Sequence, residues 1–288
     1  MKQVINLAAP EVTTKIVDSP IPEPEAKQVL IKVIVSGLNS KDWKAPVYSL
    51  AYEGPDDGSI NARSREGVNQ GDDIAGIMEK SARMLSNSRC RSGDDPTRGL
   101  HLYGASMSVG AYVVKLVRNS NIHPIIAIAG KGTDYVNTIV DTTKGDAVFD
   151  YRNGADEMIS KIKKHLKAGD HGLVLHGLDP GIGKSSQKVL NEIVMPSDTE
   201  VASATKTMTS VGVVHNTDNG CHGGDARDLG LVTARWLTKA MQTGTFKGHP
   251  FEVRPGGLHA VDQALKDLKD GKNSATKYVF RIEDTPAS

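Results

Sequence analysis

The chain has 288 residues, 24% of them charged, and a formal net charge of +1. So balanced a surface excludes recognition of nucleic acid or of an anionic membrane through a field of one sign, and favours a small-molecule partner. Its two cysteines, Cys90 and Cys221, lie far apart and form no CxxC pair, which excludes a disulfide framework or a cysteine-rich structural zinc site and reads as reduced thiols.

No window approaches the ~20 apolar residues of a membrane span, and the N-terminal apolar stretch is too short for a signal peptide. The expectation is a soluble, cytoplasmic protein, in one domain or two. In chain order, "PIPEP" (20–24) is a stiff connector and "QVLIKVIVSGL" alternates as a strand ending at Ser36-Gly37, so the opening reads as all-β. Residues 52–71 are polar and glycine-rich, a loop before a short strand at "DIAGIMEK", and residues 81–99 carry turn formers with little periodicity. The texture then changes. "LHLYG" is a strand, "SVGAYVVKLVRNS" has helical spacing, and "HPIIAIAG" is a second strand, which together make a βαβ unit. A helix in "TDYVNTIVDTTKG", a strand in "DAVFDYR", a helix in "ADEMISKIKKHLKAG" and strands in "GLVLHGL" and "TSVGVVH" continue the alternation. Helices in "RDLGLVTARWLTKAMQTG" and "GLHAVDQALKDLKDG" and a closing strand in "TKYVFRI" complete it. This is the pattern of an α/β chain with a doubly wound, mostly parallel sheet.

Between the first strand and helix of that unit stands "YGASMSVG", a variant of the dinucleotide fingerprint. A diphosphate needs backbone N–H groups at close range, and a small-residue turn at a helix N-terminus supplies them together with a favourable dipole. Gly104, Ala105, Ser106, Ser108, Val109 and Gly110 meet that need: Gly104 for the tight turn, the serines as hydroxyl donors, and Gly110 for close helix packing. The alternative is that small residues only tighten a strand-to-helix turn. Where NAD-binding units carry an acidic residue after the second strand, this chain has Gly130-Lys131. Tyr151 and Arg152 end the next strand, so a phenol and two cations are placed for a 2′-phosphate and NADPH fits better than NADH. A solvated surface role for Lys131 and Arg152 is the competing reading.

The ordered motifs "VLIKVIVSGLNSKDWK", "NQGDDIAGIMEK", "YGASMSVGAYVVKLVRNSNIHPIIAIAGKG", "DAVFDYR", "PFEVRPGGLHAVDQALKDLKDGK" and "KYVFRI" resemble the zinc-independent medium-chain dehydrogenase/reductase superfamily. Within it they look most like the fungal quinone-oxidoreductase-like and trans-acting enoyl reductase group, whose members serve secondary metabolism. The resemblance implies a Rossmann domain over 99–244 and a GroES-like β-domain over 1–98, to which 245–288 returns. It also implies NADPH as the hydride donor to an alkene conjugated with a carbonyl, such as a polyketide intermediate. Asn39 and Lys44 would face the reacting end, Lys277 would be a further cofactor contact, and His176 would lie near the adenine or ribose. Zinc-dependent relatives carry a cysteine and a Gly-His-Glu where this chain has Ser36-Gly37-Leu38-Asn39 and Gly71-Asp72-Asp73, so no catalytic metal is expected.

The chain departs from the family between Lys80 and Gly99, an apparent internal deletion where members carry several dozen further residues that complete the β-domain and line the substrate pocket. Such a loss leaves strand edges unpaired and a core partly uncovered, and makes a homodimer reasonable. Two readings follow: a reductase with a wide, open cleft, or a redox-inactive member of the fold acting as a cyclase, isomerase or interaction protein.

Overall fold

Nine largely aliphatic residues, VLIKVIVSG, form a strand in the N-terminal region, as β-branched side chains favour on a pleated surface. The computed structural model describes residues 1–7, 11–24, 28–49, 69, 71, 73–81, 99–169, 174–180, 184–194 and 223–287. It divides into two units, Met1–Ser86 with Pro250–Ser288, and Asn87–His249. The first unit opens with β1 (Lys2–Asn6) and β2 (Thr14–Asp18), an antiparallel pair running from Lys2 opposite Asp18 to Asn6 opposite Thr14. β3 (Val29–Gly37) pairs antiparallel with β4 (Asp73–Ser81). Gly76 is obligatory in β4, because a Cβ there would lie 2.2 Å from the Lys32 carbonyl oxygen.

The opening is not all-β. Ser40–Ser49 is a ten-residue helix, α1. The Asp42 carboxylate accepts the Asn39 backbone N–H at 2.7 Å, the reciprocal half of a capping box with an aspartate at the third helical position.

The second unit begins with β5 (Gly99–Leu102), α2 (Ser108–Asn119) and β6 (Ile125–Ala129). α3 (Thr133–Asn137), β7 (Ala147–Asp150), α4 (Ala155–Ala168), β8 (Val174–Leu178), α5 (Lys184–Val194) and α6 (Gly223–Gln242) follow. The strands are parallel in the order β7-β6-β5-β8, one half of a doubly wound sheet. Both faces are covered, which is why β6 reads as an unbroken apolar run and is buried at all five positions. One core holds Leu100, Leu102, Ala111, Val114 and Val136, the other Ile126, Ile128, Met158, Ile162 and Val189.

"TDYVNTIVDTTKG" is not one helix. α3 stops at Asn137, Asp141 accepts from the Thr143 N–H to start a short 3₁₀ turn, and Gly145 closes it at φ 86°. The buried Asp146 carboxylate also draws this segment in, accepting N–H groups of Ile125 at 2.7 Å and Asp141 at 2.8 Å. The strand expected in "TSVGVVH" lies outside the described residues. α2 is pinned along its length by Lys115. Its ammonium donates to the carbonyls of Lys247 and Gly248, each at 3.0 Å, and lies 5.5, 5.7 and 5.9 Å from the ring centres of Tyr112, Tyr135 and Phe246.

The chain then returns to the first unit with β9 (Phe251–Val253), α7 (Val261–Lys269) and β10 (Lys277–Arg281). β10 pairs antiparallel with β3 and parallel with β9, giving the order β4-β3-β10-β9. Leu38, Val261, Ala264, Leu265, Tyr278 and Phe280 form this unit's core, and Asp262 of α7 ties down β2 by accepting the Thr14 N–H at 2.8 Å. β4 is exposed from Ile74 to Lys80, with Ile77 62% and Met78 59% accessible, so apolar side chains on both sides of the strand stand exposed.

Candidate functional site

In the second unit the glycine turn joins β5 to α2. Gly104 has φ +69°, the left-handed region that only glycine enters without strain. Gly110 is buried beneath the turn, where a Cβ would sit 2.3 Å from the Gly104 carbonyl oxygen and 2.9 Å from Ala105 Cα. The absence of that carbon lets the helix end close onto the turn. The N-cap, Met107, makes no side-chain cap hydrogen bond, and no acidic residue occupies the first turn. Helix geometry therefore leaves the amides of Ser108, Val109 and Gly110 directed out of the helix end, with the positive end of the dipole behind them.

Ala105 is corrected as a donor. It is fully buried and its N–H already donates to the Ile128 carbonyl at 2.8 Å, so it anchors the turn to β6. Ser106 and Ser108 are half-buried and Val109 is exposed, all three at the mouth of the turn.

The second strand, β6, ends at Ala129 and is followed by Gly130 and Lys131. A Cβ on Gly130 would lie 2.4 Å from the Tyr151 ring, so the half-exposed phenol lies flat across Gly130 and stacks on Tyr103 with centroids 6.1 Å apart. Lys131 is exposed. Arg152 is held by Asp150, donating from Nε to the two carboxylate oxygens at 2.9 and 3.0 Å. That hydrogen bonding and charge hold the Asp150 carboxyl down at about 2. The structure thus joins Tyr151 to the Gly130–Lys131 turn, while Arg152 is committed first to its neighbour. His176 is exposed and opposite Leu100 in mid-strand, two residues before the end of β8.

Two residues that sequence reasoning passed over border this turn. Asp179 follows β8 and accepts from the Ser186 hydroxyl, and the adjacent Pro180 would lie 3.5 Å from a Cβ on Gly104. His101, in β5, is fully buried, and neither ring nitrogen has a hydrogen-bond partner among the described residues. Burial lowers its imidazole to about 4 against the opposing pull of Asp179. A histidine in an otherwise apolar strand was the available signal.

In the first unit, Lys277 of β10 donates to Asn39 Oδ1 at 2.8 Å and forms an ion pair with Asp73. Burial acts to raise the Asp73 carboxyl, but Lys277 and Asn39 outweigh it and hold it below its ordinary value. Lys44 does not join this group. It is exposed on α1 with its ammonium 5.4 Å from the Trp43 ring centre, because α1 is a helix and turns the fourth residue after Ser40 away from the position of Asn39. Among the described residues no three histidine, cysteine, aspartate or glutamate side chains gather as a metal site, and no helix is long and apolar enough to cross a membrane. Cys90 and Cys221 lie outside the described residues.

No family model matches the chain. The trans-enoyl reductase fsr4 of Gibberella fujikuroi is 28% identical, with 89% of this chain and 91% of the relative aligned. That alignment runs over 324 residues, longer than the chain itself, so dozens of positions in the relative have no counterpart here. Other curated trans-enoyl reductases match over 54% of their own length. Among solved structures, a mycobacterial quinone oxidoreductase superposes with TM-score 0.66 at 14% identity, covering 98% of this chain and 99% of its own. CurA of Vibrio vulnificus, solved in complex with NADPH, does so with TM-score 0.56 at 14% identity over 100% of both chains. The chain is thus similar in sequence to curated fungal trans-enoyl reductases, and its fold is that of the quinone oxidoreductases, a Rossmann-type sheet with a GroES-like β-domain.

Proposed function

We propose that the chain is a metal-independent, NADPH-dependent reductase of alkenes conjugated to a carbonyl, with polyketide-like enoyl substrates. The observation that carries this reading is the cradle at Gly104 and Gly110. Both positions exclude a side chain, one by its backbone angle and one by a 2.3 Å approach, and together they bring uncapped amides to one point. The residues fit a dinucleotide diphosphate there, held by the amides of Ser106, Ser108, Val109 and Gly110 and by the serine hydroxyls. Gly130, Lys131, Tyr151 and, after exchange of its bond to Asp150, Arg152 would hold the 2′-phosphate, with His176 toward the adenosine.

NADPH, when bound, supplies the hydride. From the first unit the reading takes Asn39, with Lys277 hydrogen-bonded to it, to orient the substrate carbonyl, and gives up Lys44, which α1 turns away from Asn39. An ammonium fixed by an amide and a carboxylate is placed before the reaction, and such a group stabilises negative charge that builds on the oxygen. The trans-enoyl reductase relatives support the same chemistry, and the NADPH-bound neighbour supports the same cofactor. The balanced charge supports a protein without nucleic-acid partners, the two cysteines outside any CxxC pair support a cytoplasmic one, and the exposed apolar side chains of β4 support a homodimer.

The test is NADPH consumption by the purified chain with an α,β-unsaturated thioester. Turnover dependent on the thioester supports the reading. Tight NADPH binding without turnover would replace it with the redox-inactive alternative, which the uncovered β4 favours.

A further inference from the structure

The first unit holds a cavity of about 720 Å³ that the reductase reading does not use. Its wall is apolar and curved: Val4 of β1, Leu30 and Val33 of β3, Leu265 of α7 and Phe280 of β10 supply the lining, and Ile74 of β4 stands at the rim, half-exposed. Among its polar lining, Asn6 and Asp42 are buried, whereas Lys2, Lys32 and Glu79 are exposed. Asp42 is engaged, one carboxylate oxygen accepting from the Asn39 N–H and the other 3.6 Å from the Lys41 ammonium. Asn6 is different. It is 7% exposed, and its Nδ2 has no hydrogen-bond partner among the described residues. A buried amide donor left unpaired is costly, and a ligand oxygen would relieve that cost.

We propose that this cavity is a second small-molecule site, taking an elongated aliphatic chain that bears a carbonyl, with the carbonyl oxygen accepting from Asn6 Nδ2 and the chain lying along β3, α7 and β10 toward Ile74. The volume falls in the ~300–1,000 Å³ range of small-molecule sites, which pair apolar walls with a few placed polar groups. Protein partners engage broad faces of ~800 Å² or more, whereas this wall is concave and drawn from several elements. Asn6 Nδ2 is a neutral donor set among apolar side chains, so a ketone or acyl oxygen matches it, while the charged side chains of the lining, Lys2, Lys32 and Glu79, are exposed and of both signs. The site lies wholly within the first unit and owes nothing to the glycine turn, so it stands or falls apart from the NADPH reading.

Calorimetry of the full chain without NADPH tests it, using 2-octanone and the hydrocarbon 1-octene as probes. The expected result is saturable binding of one 2-octanone per chain, about tenfold tighter than 1-octene, the equivalent of one neutral hydrogen bond. Asn6→Leu should abolish that preference. Ile74→Trp, a change at an exposed rim position that leaves the core alone, should weaken both probes by narrowing the entrance. Thermal unfolding establishes that each variant is folded; should Asn6→Leu fail to fold, the two probes on the unsubstituted chain and on Ile74→Trp decide the matter. Absence of saturable binding overturns the proposal, as do equal affinities for the two probes or indifference to Ile74→Trp. So does a dimer in sedimentation that binds neither probe, which would mean that a second copy fills the cavity.

Discussion

Gly110→Ala puts one carbon where the structure has no room for it. The added Cβ meets the Gly104 carbonyl oxygen at 2.3 Å, Ala105 Cα at 2.9 Å and Gly104 C at 3.0 Å, all backbone atoms that cannot rotate aside. Restoring ordinary van der Waals contact requires α2 to move off the turn by about 1 Å, a strain of roughly 1–3 kcal/mol by analogy with other overpacked sites. The same movement carries the amides of Ser108 and Val109 away from those of the turn, and a hydrogen bond stretched by that much is no longer one. If two charge-assisted bonds to a diphosphate are lost, each worth about 1.5–3 kcal/mol, NADPH affinity falls by ~10² to 10⁴-fold. Calorimetry with NADPH reads this directly. Gly244→Ala is the control: its φ of +74° makes the alanine strained, but no atom lies within 4 Å of the new carbon, so it should lower stability and leave NADPH affinity unchanged. A folded Gly110→Ala variant that binds NADPH as the unsubstituted chain does would refute the reasoning.

Lys131→Ala should weaken NADPH by ~10- to 100-fold while leaving NADH affinity unchanged, because NADH lacks the 2′-phosphate with which the lysine would form a charge-assisted bond; equal losses for both nucleotides would place Lys131 elsewhere. His101→Val replaces a buried ring lacking partners with an apolar side chain that suits a strand, and should raise stability at pH 7.5 by roughly 1–3 kcal/mol in urea unfolding. His101 also has a signature in pH. Its folded value of about 4 lies below the unfolded 6.5, so the unfolded chain takes the proton first and stability falls as pH drops from 6.5 toward 4, by about 3 kcal/mol in total. The valine variant should lack that component, and an unchanged pH profile would contradict the assignment. Lys115→Met keeps the aliphatic stem but removes an ammonium that holds two carbonyls and faces three rings. A loss of ~1–3 kcal/mol in unfolding of the second unit is expected, and a neutral result would show the pin to be solvent-compensated.

The second unit was legible because its signals are local. Apolar runs such as IIAIA and the helical spacing after Ser108 declare their elements, and the order strand, glycine turn, helix, strand states the topology. Gly104 and Gly110 were legible for the same reason, since each is required by atoms a few residues away. Ala105 was misread as a donor because its N–H goes to Ile128, in the next strand, and pairing between strands is invisible in one segment. The helix over 40–49 was hidden by its weak amphipathic pattern and by Pro46, although Asn39 followed by Asp42 is a recognisable capping signal. Least legible was the group of Lys277, Asn39 and Asp73, in which two partners are 238 positions apart; only the antiparallel pairing of β3 with β10 unites them. Lys44 lies nearer to Asn39 in sequence, yet helical geometry carries it away.

The account depends on whether the turn at Gly104 holds a phosphorylated dinucleotide, and calorimetry of the unsubstituted chain with NADPH and then NADH measures this most directly. It predicts saturable heat for NADPH, one nucleotide per chain, and an affinity for NADH weaker by ~10-fold or more, as expected when charge-assisted bonds to one phosphate are absent. Folded protein that gives no heat with NADPH, or that binds both nucleotides equally, would contradict it.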